Sequence, residues 1–197
     1  MSQRSLLVLA MICAPAMLVG ILLTQGSENS LITGIVSFLF MFGSLCTQLV
    51  LWQIAASGRG IWGRIAQGFQ IVLVFFGMLF GIFEASQLLH DENILFVITD
   101  ISWPLSMVWM LILGITIAIR GTLKGYARFA PMICGLAFPA TIVLAGLTQS
   151  PMNSGFIPFV FFGMLAVFWF LMAFTLRSSL ETDDSHEMHT IRAEQAS

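Results

Sequence analysis

The chain has 197 residues, of which 58% are hydrophobic and 9% charged, with a mean hydropathy of +0.94 and a formal net charge of −2. Water-soluble domains carry about 25% charged residues. A chain this poor in charge cannot cover itself with polar surface, so the composition excludes a soluble globule and predicts a multi-pass membrane protein. No basic patch interleaved with aromatics points to nucleic acid. Cys13, Cys46 and Cys134 lie in apolar runs without C-x-x-C spacing, which predicts buried free thiols and no disulfide framework or metal site.

A transmembrane helix needs about 20 mainly apolar residues. Six runs meet that length: 5–24, 31–57, 65–88, 94–119, 129–148 and 156–176. The first follows Arg4 and outlasts the apolar core of a signal peptide, which runs to about 15 residues. No small-x-small site follows it, so an uncleaved helix is predicted. The second run carries a polar stripe of Thr33, Ser37, Ser44, Gln48 and Ala55, with Ser44 and Gln48 placed near mid-membrane. At about 100° per residue, Gln67, Gln70, Gly77, Gly81 and Glu84 share one face of the third run. Val72, Phe75, Leu79, Ile82 and Phe83 take the other. Gly77-x-x-x-Gly81 lets another backbone approach closely.

The fourth run contains Asp100-Ile101-Ser102-Trp103-Pro104. Proline has no N–H, and its ring clashes with the carbonyl four residues back, here that of Asp100. A carboxylate within an apolar run is functional by default. The stretch therefore predicts a helix broken between Asp100 and Pro104, with milder kinks at Pro15, Pro139 and Pro158. The sixth run is ringed by Phe156, Phe159, Phe161, Phe162, Phe168, Trp169, Phe170 and Phe174 and reads as facing lipid or another subunit. Beyond it, 178–197 holds Glu181, Asp183, Asp184, Glu187 and Glu194 with little apolar content, which predicts an acidic tail outside the membrane, disordered or partly helical. The fold predicted is an all-α membrane protein: a six-helix transmembrane bundle over 1–177 and a tail over 178–197.

Basic residues set the orientation. Arg4 precedes the first run, Arg59 and Arg64 lie between the second and third, and Arg120, Lys124 and Arg128 lie between the fourth and fifth. Arg177 and Arg192 follow the sixth. The other three connections carry Glu28, Asp91 and Glu92 and no Lys or Arg. The positive-inside rule then puts both termini in the cytoplasm.

Glu84 lies eight residues before Glu92 and Asp100 eight after it. On an antiparallel hairpin centred at Glu92 they fall at equal depth, in the outer third. The site expected from this is a proton or cation shared by Glu84 and Asp100, with Gln48, Gln70, Gln87, His90 and Ser102 as polar neighbours. Two close carboxylates cannot both ionise cheaply, so one would hold its proton more tightly. The competing reading has both carboxylates solvated at the interface, and the amide stripes acting only as glue between helices. In the tail, His186-Glu187-Met188-His189 is H-E-x-H and misses the zinc-protease spacing. The sole lysine, Lys124, is in a loop, which argues against a retinal Schiff base. No cofactor is expected. No nucleophile or metal set supports an enzyme.

The run from Asp100 to Met107, with Gly114, Arg120-Gly121, Gly125-Tyr126 and Ala130-Pro131, resembles that of a group of small bacterial multi-pass membrane proteins. The resemblance covers the fourth and fifth runs. It implies a bacterial cytoplasmic membrane and no particular activity. Two functions are then in view: a small proton- or cation-coupled carrier or channel using Glu84 and Asp100, or a non-enzymatic accessory protein acting through the sixth helix and the tail. The partners expected are the lipid bilayer and either a second copy or another membrane protein. The topology is checked by fusion: a phosphatase that works only after export should stay inactive when attached after Ser197, and an active fusion would overturn the orientation.

Overall fold

The structure is a computed structural model. It describes residues 1–24, 29–88, 93–149 and 156–196, with only the course of the chain for 183–196. The described residues form α1 (Gln3–Cys13), α2 (Ala16–Thr24), α3 (Ser30–Gln53), α4 (Ile61–Ser86), α5 (Ile94–Arg120), a short 3-10 turn (Gly125–Arg128), α6 (Ala130–Thr148) and α7 (Ile157–Ala196). α1 and α2 together make one span, so six stretches are long and apolar enough to cross a membrane. The chain is an all-α membrane protein built as a six-span bundle.

Local sequence explains the helix ends. Asn29 caps α3 by accepting from the Ile32 N–H, and Asn93 caps α5 by accepting from the Leu95 N–H at 2.9 Å. Gly121, at φ +64°, closes α5 in the left-handed conformation that only glycine adopts freely.

The spans stand in a closed ring in sequence order. α3 packs on α4, α4 on α5, α5 on α6 and α6 on α7; α7 returns to α1 and α2, which lean on α3. α3 is the most enclosed span. Side chains fill the middle. Phe40 of α3 meets Trp169 of α7 edge-on at 5.4 Å, and Trp103 of α5 meets Phe161 of α7 at 5.7 Å. Met41, Met107, Met110, Leu165 and Met172 are fully buried among them.

Glycines bring the walls together. A Cβ on Gly114 of α5 would collide with the backbone of Pro131 and Met132 in α6, and one on Gly135 of α6 with that of Met110 and Leu111 in α5. On the other side, a Cβ on Gly81 of α4 would lie 2.6 Å from the Phe38 nitrogen of α3. In lipid, such backbone approach supplies the dispersion contact that the hydrophobic effect supplies in water.

The expected break in the fourth span needs correction. α5 runs unbroken through Pro104, from Ile94 to Arg120. Hydroxyl side chains reinforce the helix around the proline: Ser102 donates to the Ile98 carbonyl and Ser106 to the Trp103 carbonyl, each at 2.7 Å. Trp103 is also held from outside by Phe138 and Phe161. The interruption falls in the first span, at Ala14 and Pro15, between α1 and α2. No Ser or Thr lies within four residues of Pro15 to play the same part. Pro139 stays inside α6, where Thr141 donates to the Ala137 carbonyl at 2.8 Å. Pro158 is the second residue of α7, where a missing N–H costs nothing.

α7 continues past the long apolar run to Ala196, so the acidic segment prolongs a helix. Arg177 and Glu181 pair one turn apart at 2.9 Å on its exposed surface.

Gly135→Val should cost the folded bundle about 1–3 kcal/mol or more by overpacking, read as a lower unfolding temperature in detergent. Gly163→Ala, where nothing lies within 4 Å of the added methyl, should leave that temperature unchanged.

Candidate functional site

α4 turns one face inward through Gly63, Gln67, Gln70, Val74, Gly77 and Gly81, spaced alternately four and three residues apart. That spacing keeps one stripe on one side of a helix. It carries two amides into the bundle, where they meet a third from α3. Gln67 Nε2 donates to Gln48 Oε1 at 2.8 Å, and Gln48 Nε2 donates to Met110 Sδ of α5 at 3.3 Å. Gln48 and Gln70 are 0% exposed and Gln67 1%. Gln67 Oε1 and both Gln70 Oε1 and Nε2 have no hydrogen-bond partner. Each such group costs about 1–3 kcal/mol when buried.

The neighbouring hydroxyls differ. Ser44 donates to the Phe40 carbonyl at 2.9 Å and Thr47 to the Gly43 carbonyl at 3.1 Å, each within its own helix. A hydroxyl is short enough to bond back to the preceding turn, while an amide on a longer arm reaches across. Among the described residues, three of the unpartnered buried side-chain atoms are on Gln67 and Gln70; the others are Arg128 Nε and Trp169 Nε1. The cluster also lies deeper toward one end than expected. Gln48 is five residues from Gln53, the last residue of α3, which puts it near the end that carries Arg59 and Arg64.

Asp100 lies elsewhere, on a mostly apolar cavity of about 160 Å³ bounded by Met17, Ser37, Met41, Gly77, Phe80 and Trp103. Contacts between α4 and α5 set its level. Phe80 packs tilted against Phe96 at 5.3 Å, a Cβ on Gly77 would sit 3.6 Å from Trp103 Cβ, and Phe69 meets Trp109 at 5.0 Å. Asp100 is thus level with Gly77 and Phe80, and Glu84 lies about 6 Å or more farther along the hairpin. The equal depth expected of the two carboxylates does not follow, because the turn is not centred on Glu92. α4 ends at Ser86, and α5 begins at Ile94.

The other expected neighbours disperse. Gln87, exposed and at φ 51°, terminates α4 in the left-handed conformation. Ser102 is spent on its own helix. His90 lies outside the described residues. Among the described residues, no three His, Cys, Asp or Glu side chains gather as a metal-binding group.

Gln67 also forms part of a second wall. It borders a cleft of about 440 Å³ with Trp52, Ser57, Gly58, Arg59 and Arg64. The cleft is held in shape by Ser57 donating to the Gly63 carbonyl at 2.8 Å and by Trp109 Nε1 donating to the Ala66 carbonyl at 2.9 Å. Thr122 donates to the Ala56 carbonyl. Neither the Gln48–Gln67 bond nor this cleft was expected from the sequence. The signal lay in Arg64, Gln67 and Gln70, which are three residues apart on one helix face.

No family model matches the chain, and no curated protein or solved structure matches it at a significant level.

Two substitutions separate the amides. Gln70→Leu removes two unpartnered atoms and should stabilise the folded protein by about 2 kcal/mol or more. Gln67→Leu removes one such atom, strands Gln48 Oε1 and breaks a bond, for a net loss of about 1 kcal/mol. Thermal unfolding of both in detergent checks the order, and a destabilised Gln70→Leu protein would mean that Gln70 has a partner outside the chain.

Proposed function

We propose that the protein is a small proton-coupled membrane carrier for a hydrogen-bonding solute. The observation that supports this reading is the set of unpartnered atoms on Gln67 and Gln70 inside the bundle. Two acceptors and one donor at that depth are binding capacity which the chain itself leaves unused. Polar groups also extend beyond the amides in both directions. Toward the acidic connections come the Asp100 cavity and, farther out, Glu84; toward the basic connections comes the cleft with Arg59 and Arg64. Met41 borders the Asp100 cavity and Met110 contacts Gln48. Methionine is unbranched and soft, so these two side chains are suited to close the route between cavity and cluster and to swing aside.

In this scheme Asp100 is the proton-binding group beside the cavity, and Glu84 acts before it along the route instead of sharing one proton with it. Ser102 and Gln87 take no part. The guanidinium groups at the other mouth disfavour exit of a bare metal cation, so proton coupling fits better than cation coupling. The reading makes the protein non-enzymatic and places it in a bacterial inner membrane with both termini cytoplasmic. A second reading, an accessory protein, draws on α7, which runs on to Ala196 and could present its acidic end to a partner, whether a second copy or another membrane protein.

Purified protein in liposomes under an imposed pH gradient tests the first reading with an internal pH-sensitive dye. Proton flux above that of empty liposomes is expected, falling about tenfold or more in Asp100→Asn, since removing a positioned proton carrier costs rates of this order. Wild-type flux equal to that of empty liposomes across a panel of small polar solutes would favour the accessory role.

A further inference from the structure

We propose that the cleft between the α3–α4 connection and the first turns of α4 binds an anionic group that bears a hydrogen-bond donor close to its charge. The phosphate and ammonium of an ethanolamine headgroup have this chemistry. The cleft holds about 440 Å³, and Arg59 and Arg64 stand exposed at its mouth. Arg120, from the end of α5, lies against Gly58, where any side chain would collide with its guanidinium. Gly58 is at φ +102°, a conformation suited to glycine alone. Two guanidinium groups thus line the cleft, and a third, from the end of another helix, lies against Gly58 in its wall. The positive-inside rule accounts for basic residues at this end of the bundle. It does not require them to line a cavity.

The floor of the cleft specifies the rest of the ligand. Gln67 is 1% exposed, its Nε2 is committed to Gln48, and its Oε1 has no partner. That oxygen can only accept. A bare phosphodiester, having no donor, would satisfy the arginines and leave it unpaired. An ammonium two carbons from the phosphate can reach it while the phosphate stays on the guanidinium forks. Of the other polar side chains on this wall, Ser57 already donates to the Gly63 carbonyl, and Gln53 is exposed. Trp52, 42% exposed on the rim, has the amphipathic ring that favours the headgroup level of a bilayer. The site stands whether or not the bundle carries a solute.

Phosphoethanolamine and phosphocholine differ in the donors on nitrogen, and each exists as a soluble compound and as a lipid headgroup. Full-length protein in a phospholipid-free detergent is titrated with both soluble compounds and with short-chain phosphatidylethanolamine and phosphatidylcholine, followed by native mass spectrometry and unfolding temperature. An ethanolamine compound should bind about fivefold or more tighter than its choline counterpart, the difference expected for one satisfied buried acceptor. Gln67→Leu should erase that preference. Arg59→Gln with Arg64→Gln, both exposed positions, should weaken every phosphate compound about tenfold. That double variant decides the matter if Gln67→Leu does not fold. Tighter binding of the lipid identifies a headgroup site, and equal binding of lipid and soluble compound identifies a site for the free phosphate ester. Equal affinity for ethanolamine and choline forms, or a double-arginine variant that binds like the wild type, overturns the proposal.

Discussion

A polar group carried into this bundle has no water to fall back on, and most of the interior can be understood from how each one finds a partner. Ser44, Thr47, Ser102 and Ser106 turn to carbonyls of their own helices. The Trp109 ring nitrogen crosses to the Ala66 carbonyl. Gln48 and Gln67 pair across α3 and α4. After these bonds are made, unused capacity remains on Gln67, on Gln70 and on the Trp169 ring nitrogen, each at a cost. Hydrogen bonds between membrane helices contribute only about 0.6 kcal/mol each on average, so the amides are weak glue and an expensive way to obtain it.

What holds the ring is the backbone contact at glycine. Gly114 and Gly135 let α5 and α6 touch, and Gly34 and Gly81 do the same for α3 and α4. With the walls this close, the aromatic and methionine side chains fill the middle. The same closeness aligns the α4 stripe with α3 and sets Gln67 against Gln48. At the seam between α3 and α4, packing and the polar site are thus consequences of one face of α4.

Proline has different outcomes in different settings. At Pro15 no hydroxyl is near, and the span divides into α1 and α2. At Pro104 and Pro139 a hydroxyl two residues on bonds back into the turn, and the helices continue. The residue that weakens the ladder is the same in each case; its neighbours decide whether the helix survives it.

The number of spans, their order and the one-ended distribution of Arg and Lys were all legible in the sequence. Apolar length is a property of consecutive residues, and the bilayer reads it directly. The inward face of α4 was legible too, because period and spacing place Gln67, Gln70, Gly77 and Gly81 together on any helix. The pairing between helices was not. Counting from Glu92 put Glu84 opposite Asp100, but register depends on where α4 stops and how far its glycines let α3 and α5 approach. Those are contacts between residues distant along the chain. For the same reason only the tertiary structure joined Gln48 to Gln67, set Asp100 beside Gly77 and brought Arg120 to the loop that carries Arg59. One-dimensional periodicity determines which face a side chain takes, while the axial offset of two packed helices is decided by the side chains that meet between them.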